Sequence, residues 1–430
     1  MEEKKVGSYR WVVVVLLFFA TSINYLDRQV IGLLKPILAI QFHWTEIDYG
    51  NIVMAFSAAY AVGLLLFGNF IDKIGTKLGY TISIIIWSLS AMLHAIVKST
   101  LGFGVVRVAL GLGESGNFPA AIKTVAEWFP KKQRAFATGL FNSGANIGAV
   151  IAPVLVPWIL GIYGWQMAFI ITGAIGFVWL IFWRIFYEVP SKHKKLGAAE
   201  FEFIHSDIDE VVVKPEDEKK IRWVQLLGIR QTWTFVAGKL LTDPIWYFFL
   251  FWLPSYFAST FNIDLKKPSL PLVIVYTATT IGSIGGGYLS SWFIKKGWPI
   301  FKARKVSMLI FAICVVPIIT ARFATNIWQA VFLIGLAAAA HQAWSATIFT
   351  TASDMFPKRA ISSVVGIGSM AGSVGGIFFP ALIGVILEAN KKAGHILWGY
   401  NIIFTICGCA YLLAWIIMHL LSPKMKKVEL

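Results

Sequence analysis

The chain has 430 residues, of which 57% are hydrophobic and only 14% charged, and its mean hydropathy is +0.70. Soluble domains carry about 25% charged residues, so a water-soluble globule is excluded. The formal net charge of +16 does not point to nucleic acid, because the basic residues stand in short loops beside apolar runs instead of forming one basic face.

Apolar runs of about 20 residues, long enough to cross a bilayer as a helix, recur twelve times. In chain order they lie near 11–34, 49–71, 79–97, 101–122, 136–160, 165–187, 232–258, 270–294, 305–321, 326–348, 360–387 and 397–421. The expected fold class is an all-α integral membrane protein with twelve transmembrane helices. The first run is too long and too interrupted for a cleaved signal peptide and reads as a retained helix. The 18 Trp and 33 Phe suit lipid-facing surfaces and interfacial anchors.

Loop lysines and arginines set the orientation. One side carries Lys4, Lys5 and Arg10; Lys73 and Lys77; Lys131, Lys132 and Arg134; Lys295, Lys296, Lys302, Arg304 and Lys305; Lys358 and Arg359; and Lys424, Lys426 and Lys427. The other side holds mainly Lys35, Lys98, Lys266, Lys267, Lys391 and Lys392. Both termini are therefore expected in the cytoplasm, as an even number of spans requires. The longest polar stretch, Glu188 to Arg230, separates an N-terminal six-helix half (1–188) from a C-terminal one (232–430). This linker (189–231) reads as a solvated cytoplasmic tether with short helices around Ala198–Val211 and Trp223–Leu227.

Four ionisable residues interrupt the spans: Asp27 and Arg28 in the first, Arg107 and Glu114 in the fourth. A charge at mid-bilayer costs about 2.5–3.5 kcal/mol on insertion scales, and such charges mark polar cavities. Two carboxylates with two arginines point to an anion site beside a proton site, the pattern of a transporter. Arg107 and Glu114 are seven residues apart, about two turns or 10 Å along one helix face. The competing reading is a static ion-pair network between the first and fourth helices. Tyr25, one turn before Arg28, Tyr60 in the second span, and Asn142 and Asn146 on one face of the fifth can bind sugar hydroxyls or simply pack. In the second half the polar and aromatic candidates are Asp243, Trp246, Tyr247, His341 and Gln342. His341 reads either as a proton carrier or as a helix-to-helix hydrogen bonder.

The halves are related. Glu127-Trp-Phe-Pro-Lys-Lys returns as Asp354-Met-Phe-Pro-Lys-Arg, and Gly139, Gly148 and Pro153 return as Gly366, Gly375 and Pro380, at a constant shift of 227 residues. The same shift sets His341 opposite Glu114. Two six-helix repeats about an axis along the membrane normal are one known transporter architecture.

Local motifs then point to a family. Gly68-Asn-Phe-Ile-Asp72-Lys-Ile-Gly75-Thr-Lys77 and Arg107-Val-Ala-Leu-Gly111 resemble signatures of the major facilitator superfamily. Asn24-Tyr-Leu-Asp-Arg28, Glu114-Ser-Gly-Asn-Phe-Pro119, Gly164-Trp-Gln-Met-Ala-Phe169 and Ala340-His-Gln342 resemble its anion:cation symporter family, nearest the bacterial hexuronate carriers, with galactonate and glucarate carriers close behind. The resemblance implies proton-coupled import of a sugar acid across a bacterial inner membrane by a monomer. It makes Arg28 the carboxylate-binding residue, Asp27 and Glu114 the protonatable acids, and Arg107 the partner of the acid lower on its helix. A carboxylate at Asp27 is closer to the galactonate-type pattern. The open alternatives are uptake or exchange of another organic anion (galactonate, glucarate, a dicarboxylate) without obligatory proton coupling, and a non-transporting membrane anion sensor.

Other matches are declined. Gly111-Leu-Gly-Glu-Ser-Gly116 spells a dinucleotide fingerprint but no strand precedes it, and small residues for close helix packing explain it better. The same holds for Gly144/Gly148 and Gly368/Gly372/Gly376. Cys314, Cys407 and Cys409 lie in apolar segments and imply neither a disulfide framework nor a zinc site. No P-loop is present, and no nucleophile–base pair or metal cluster calls for an enzyme or a cofactor.

Overall fold

The structure is a computed structural model that describes residues 7–206, 223–264, 266–356 and 358–428. Its regular elements, among the described residues, are sixteen α-helices and two short 3-10 helices, with no strand. In chain order they are α1 (Tyr9–Gln41), α2 (Glu46–Ile74), α3 (Thr76–Leu93), α4 (Thr100–Ser115), α5 (Asn117–Trp128), α6 (Lys131–Tyr163), α7 (Trp165–Phe186) and α8 (Ala198–Ile204). They continue with α9 (Trp223–Leu227), α10 (Arg230–Phe251), α11 (Leu253–Phe261), α12 (Leu270–Lys295), α13 (Ile300–Val315), α14 (Ile327–Met355), α15 (Lys358–Lys392) and α16 (Ile396–Leu421). Ten of these segments are long and apolar enough to cross a membrane.

Three of the twelve apolar runs are not single α-helices: the run at 305–321 is α13 followed by the 3-10 helix Val316–Phe323, and two others break between α-helices. The run at 101–122 is α4 followed by α5, broken at Gly116, and the run at 232–258 is α10 followed by α11, broken at Trp252. A proline stands in the first turn after each break, Pro119 and Pro254. Its ring lacks an N–H and collides with the carbonyl four residues back, so the preceding helix stops. Polar side chains serve the first break: Ser83 donates to the Gly113 carbonyl at 2.6 Å, and Asn117 joins Tyr80 to Thr21. Gly113 and Gly116 lie against the Trp87 backbone and the Ser83 side chain, so the glycines of the apparent dinucleotide motif let α4 approach α3.

The chain folds into two compact units. The first holds Met1–Val30, Ala58–Ala152 and Ile159–Lys219. In it α2 turns into α3 at Gly75, with φ 87° and ψ 155°, a region open essentially to glycine alone. Replacing it strains any L-residue, so Gly75→Ala lowers the unfolding free energy of the detergent-solubilised protein by about 1–3 kcal/mol, read as a fall in melting temperature. Glu127 fastens the same corner, accepting from Thr76 at 2.7 Å and from the Tyr187 hydroxyl at 2.6 Å. Lys77 donates to Glu188 at 2.8 Å and thereby holds the Glu188 carboxyl below its ordinary pKa. The Asp72 side chain lies outside the described residues.

Part of the linker differs from the tether expected for it. Its helix α8 is docked: Glu200 is 2% exposed, pairs with Arg10 at 2.9 Å and accepts the backbone N–H groups of Tyr9 and Arg10. A linker carboxylate thus caps the first turn of α1, where unsatisfied donors and the helix dipole favour a negative charge. The expected helix Ala198–Val211 ends at Ile204, with residues 207–211 outside the described residues, and Trp223–Leu227 is α9.

The second unit holds Ile31–Ser57, Pro153–Trp158 and Lys220–Leu430. Lys35, read from the sequence as a loop residue, lies inside α1, 3% exposed and paired with Glu46 at the start of α2. The Glu46 amide donates to Glu388 at 2.9 Å. Gly50 abuts the Pro380 carbonyl, and Gly384 abuts that of Glu46, a backbone-to-backbone approach that any side chain would block.

Candidate functional site

In the first unit, α1 and α4 bring Arg28 and Glu114 together. Arg28 Nε donates to Glu114 Oε2 at 2.8 Å, and Arg28 Nη2 reaches Asn24 Oδ1 at 3.2 Å. Tyr25 and Tyr60 flank the guanidinium, with ring centroids 4.7 and 4.6 Å from Cζ. Cation–π contact of this kind is strengthened by desolvation, and Arg28 is only 5% exposed. Arg28, Tyr25, Tyr60 and Glu114 form a cationic slot with aromatic walls and a carboxylate seated in it.

The remaining charges sit around that slot. Asp27, next to Arg28 on α1, is buried, and neither carboxylate oxygen has a hydrogen-bond partner among the described residues. Glu114 and Arg107 are fully buried on α4. The ion pair that the structure shows for Glu114 runs to Arg28 of α1, whereas the resemblance pairs that acid with Arg107. Arg107 stands two turns before Glu114 on α4, and His94, which caps α3, stacks on Phe169 with centroids 4.9 Å apart. His94 carries no sequence signal beyond being a histidine in an apolar run.

Glycines place α1 on α6. A Cβ at Gly144 would run into the Phe18 carbonyl, and one at Gly148 into the Ser22 carbonyl and the Tyr25 side chain. Asn142 and Asn146 stand on the same helix, the first exposed and the second half-buried.

In the second unit, Trp246 lies parallel to His341 with ring centroids 5.3 Å apart. The His341 Nδ1 is hydrogen-bonded to the Tyr411 hydroxyl, tying α14 to α16. Tyr247 packs over Gly376 of α15, and Gln342 is half-buried. The residue that sequence reading missed is Lys239: it lies 2.7 Å from Asp243 on the next turn of α10 and is 5% exposed. A lysine and an aspartate four apart in an apolar run are a visible signal, masked by the bulk around them.

Comparison with known proteins places this arrangement. The model of the Major Facilitator Superfamily matches residues 17–380. The hexuronate transporter of Escherichia coli (strain K12) is 31% identical over 389 residues, covering 90% of this chain and 89% of that protein. The galacturonate transporter of Dickeya chrysanthemi is 35% identical over 291 residues, 68% of this chain and 84% of that protein. A probable galactarate/D-glucarate transporter of Escherichia coli (strain K12) is 28% identical over 445 residues, covering 100% and 98%. Among solved structures, a bacterial homolog of the human lysosomal transporter Spinster, inward-facing and unoccupied, matches with TM-score 0.81 and 18% identity over 99% of this chain and 100% of that one. A D-xylose–proton symporter matches with TM-score 0.76 and 16% identity over 98% and 100%; these two likenesses speak to the fold alone. With helices throughout the described residues, buried charges in three of its apolar runs and a family match across most of its length, the chain belongs to the Major Facilitator Superfamily, as a multi-pass membrane transporter and not an enzyme.

Proposed function

We propose that this chain is a proton-coupled symporter that imports a small sugar-acid anion, foremost a hexuronate, by alternating access, with both termini in the cytoplasm. The observation that carries the reading is Arg28 held by Glu114 between the faces of Tyr25 and Tyr60. A guanidinium fork matches the two oxygens of a carboxylate. Relatives named for hexuronate, galacturonate and galactarate support the sugar-acid class.

Coupling follows from competition for Arg28. A substrate carboxylate that takes over the guanidinium leaves Glu114 buried without its counter-charge, and a buried charge is kept only when paired. A proton from outside then binds the Glu114 carboxylate, so anion and proton travel together. On the cytoplasmic side the proton leaves Glu114, the carboxylate reclaims Arg28 and the substrate is expelled. Asp27, without a hydrogen-bond partner of its own among the described residues, is the second proton carrier. Tyr25, Tyr60, Asn142 and Asn146, with Trp246, Tyr247, His341 and Gln342, supply hydroxyl, amide and ring contacts to the sugar. Arg107 acts beside Glu114 on the same helix, and Gly68 and Asp72 at the end of α2, Gly75 at the turn and Lys77 at the start of α3 form the corner that lets the helices move.

The test is uptake of radiolabelled galacturonate into right-side-out vesicles with and without an inward proton gradient, for wild type and Glu114→Gln. Wild type accumulates substrate only with the gradient; Glu114→Gln loses accumulation but keeps counterflow exchange. Gradient-independent accumulation by wild type refutes the coupling, and absence of any uptake moves the substrate to galactonate, glucarate or another organic anion.

A further inference from the structure

The Lys239–Asp243 pair lacks the usual structural reason for buried charge. Both residues lie on α10, so their 2.7 Å contact fastens no second helix, although each charge costs about 2.5–3.5 kcal/mol at bilayer depth on insertion scales. The fold nevertheless makes room for them. Lys239 Nζ sits 4.3 Å from the Phe349 ring centroid of α14. Asp243 faces Gly372 of α15, where a Cβ would collide with its carboxylate. The Asp243 side chain keeps 24% of its surface accessible, so the pair borders open space. Trp246 follows one turn later on the same face, stacked on His341.

The internal repeat gives these positions a meaning. Gly148 abuts the Ser22 carbonyl on α1, and its counterpart Gly375 abuts the Leu240 carbonyl on α10. Setting Ser22 against Leu240 places Trp246 at the station of Arg28, while the shift of 227 places His341 at that of Glu114. The station that is an ion pair in the first unit is thus an aromatic stack in the second. The second unit carries its charge on Lys239 instead, seven residues nearer the start of α10.

We propose that Lys239 and Asp243, with the Trp246 face, form a second recognition site in this carrier, for the hydroxyls or a carboxylate of a sugar acid. Lys239 leaves Asp243 to bind a hydroxyl or a second carboxylate, Asp243 accepts from neighbouring hydroxyls, and Trp246 covers the C–H face of the sugar. The cation makes a dicarboxylic sugar acid the ligand most dependent on this site. The inference rests on the sugar-acid reading of the preceding section.

Its test is ligand-induced thermal stabilisation of the purified full-length protein, titrated with galacturonate and with galactarate. Wild type, Arg28→Ala, Lys239→Gln and the double variant Lys239→Gln/Asp243→Asn are compared; the double variant removes both charges and so leaves no orphaned carboxylate. Expected are an unchanged unliganded melting temperature for the double variant and affinity reduced about tenfold or more for galactarate, equivalent to about 1.4 kcal/mol, with a smaller loss for galacturonate. Wild-type affinity for both ligands in the double variant, while Arg28→Ala binds neither, overturns the second site and leaves the sugar-acid reading standing. A large fall in unliganded melting temperature with affinities unchanged makes the pair structural and overturns it too. A wild type that binds neither ligand overturns the sugar-acid reading, and the ligand assigned to Lys239 falls with it.

Discussion

Arg28→Ala abolishes uptake. The substitution removes the guanidinium that Glu114 and Asn24 hold and that two tyrosine rings enclose. Removing one partner of a buried, hydrogen-bonded charge pair across a binding interface costs about 2–5 kcal/mol, and every 1.4 kcal/mol is about tenfold, so loss of the substrate carboxylate's partner lowers uptake at sub-saturating substrate by more than an order of magnitude. Arg28→Lys separates charge from shape. It keeps a cation but loses the planar fork and the stacking surface, and it recovers only a small part of the rate. The double variant Arg28→Ala/Glu114→Gln tells binding from folding. Removing both charges relieves the orphaned carboxylate, so the melting temperature returns toward wild type while uptake stays absent. Full transport by Arg28→Ala refutes the assignment outright.

Gly148→Leu has the second large effect, by a purely steric route. Its Cβ would meet the Ser22 carbonyl and the Tyr25 Cβ, and a backbone carbonyl cannot rotate out of the way. The branched side chain pushes α1 off α6, carrying Tyr25 and Arg28 out of register with Glu114. Overpacking of this kind costs about 1–3 kcal/mol, visible as a lower melting temperature, and transport falls further than stability because site geometry tolerates about 1 Å at most. Gly139 on the same helix is the control: among the described residues nothing lies within 4 Å of a Cβ there. Gly139→Ala is therefore neutral or stabilising by up to about 1 kcal/mol, the helix-propensity difference between the residues. Equal damage from both substitutions refutes the packing argument.

The contrast between Gly139 and Gly148 shows where sequence reading stops. Both recur at the 227-residue shift, and only the four-residue spacing from Gly144 marks Gly148 for close packing; which helix it meets, α1 at the Ser22 carbonyl, is given by the fold alone. Arg28 and Glu114 are legible because a charge inside an apolar run is costly and therefore conspicuous; that the two meet depends on how α1 crosses α4. Tyr25 is legible from its one-turn spacing to Arg28, and Tyr60 only from its depth. Lys35 misleads because a charge at the edge of an apolar run looks like a loop, whereas α1 continues to Gln41. Hydropathy sums across a kink, so the runs at 101–122 and 232–258 look continuous although Pro119 and Pro254 stand in view. Glu200 gives no signal at all: its burial comes from docking onto α1, a tertiary event without sequence periodicity.

The make-up of α10 bears on how the nascent chain enters the membrane. Leucine, isoleucine, valine and phenylalanine return only about 0.3–0.6 kcal/mol each on the translocon scale, while lysine and aspartate at a helix centre each cost about 2.5–3.5 kcal/mol. Lys239 and Asp243 stand near the middle of α10, which also has a proline at position 244. Such a segment does not commit to lipid on its own. It is retained once α14, α15 and α16 arrive to shelter it, so the second half of the chain is integrated as a group, and the first helix of that half is the last to become secure.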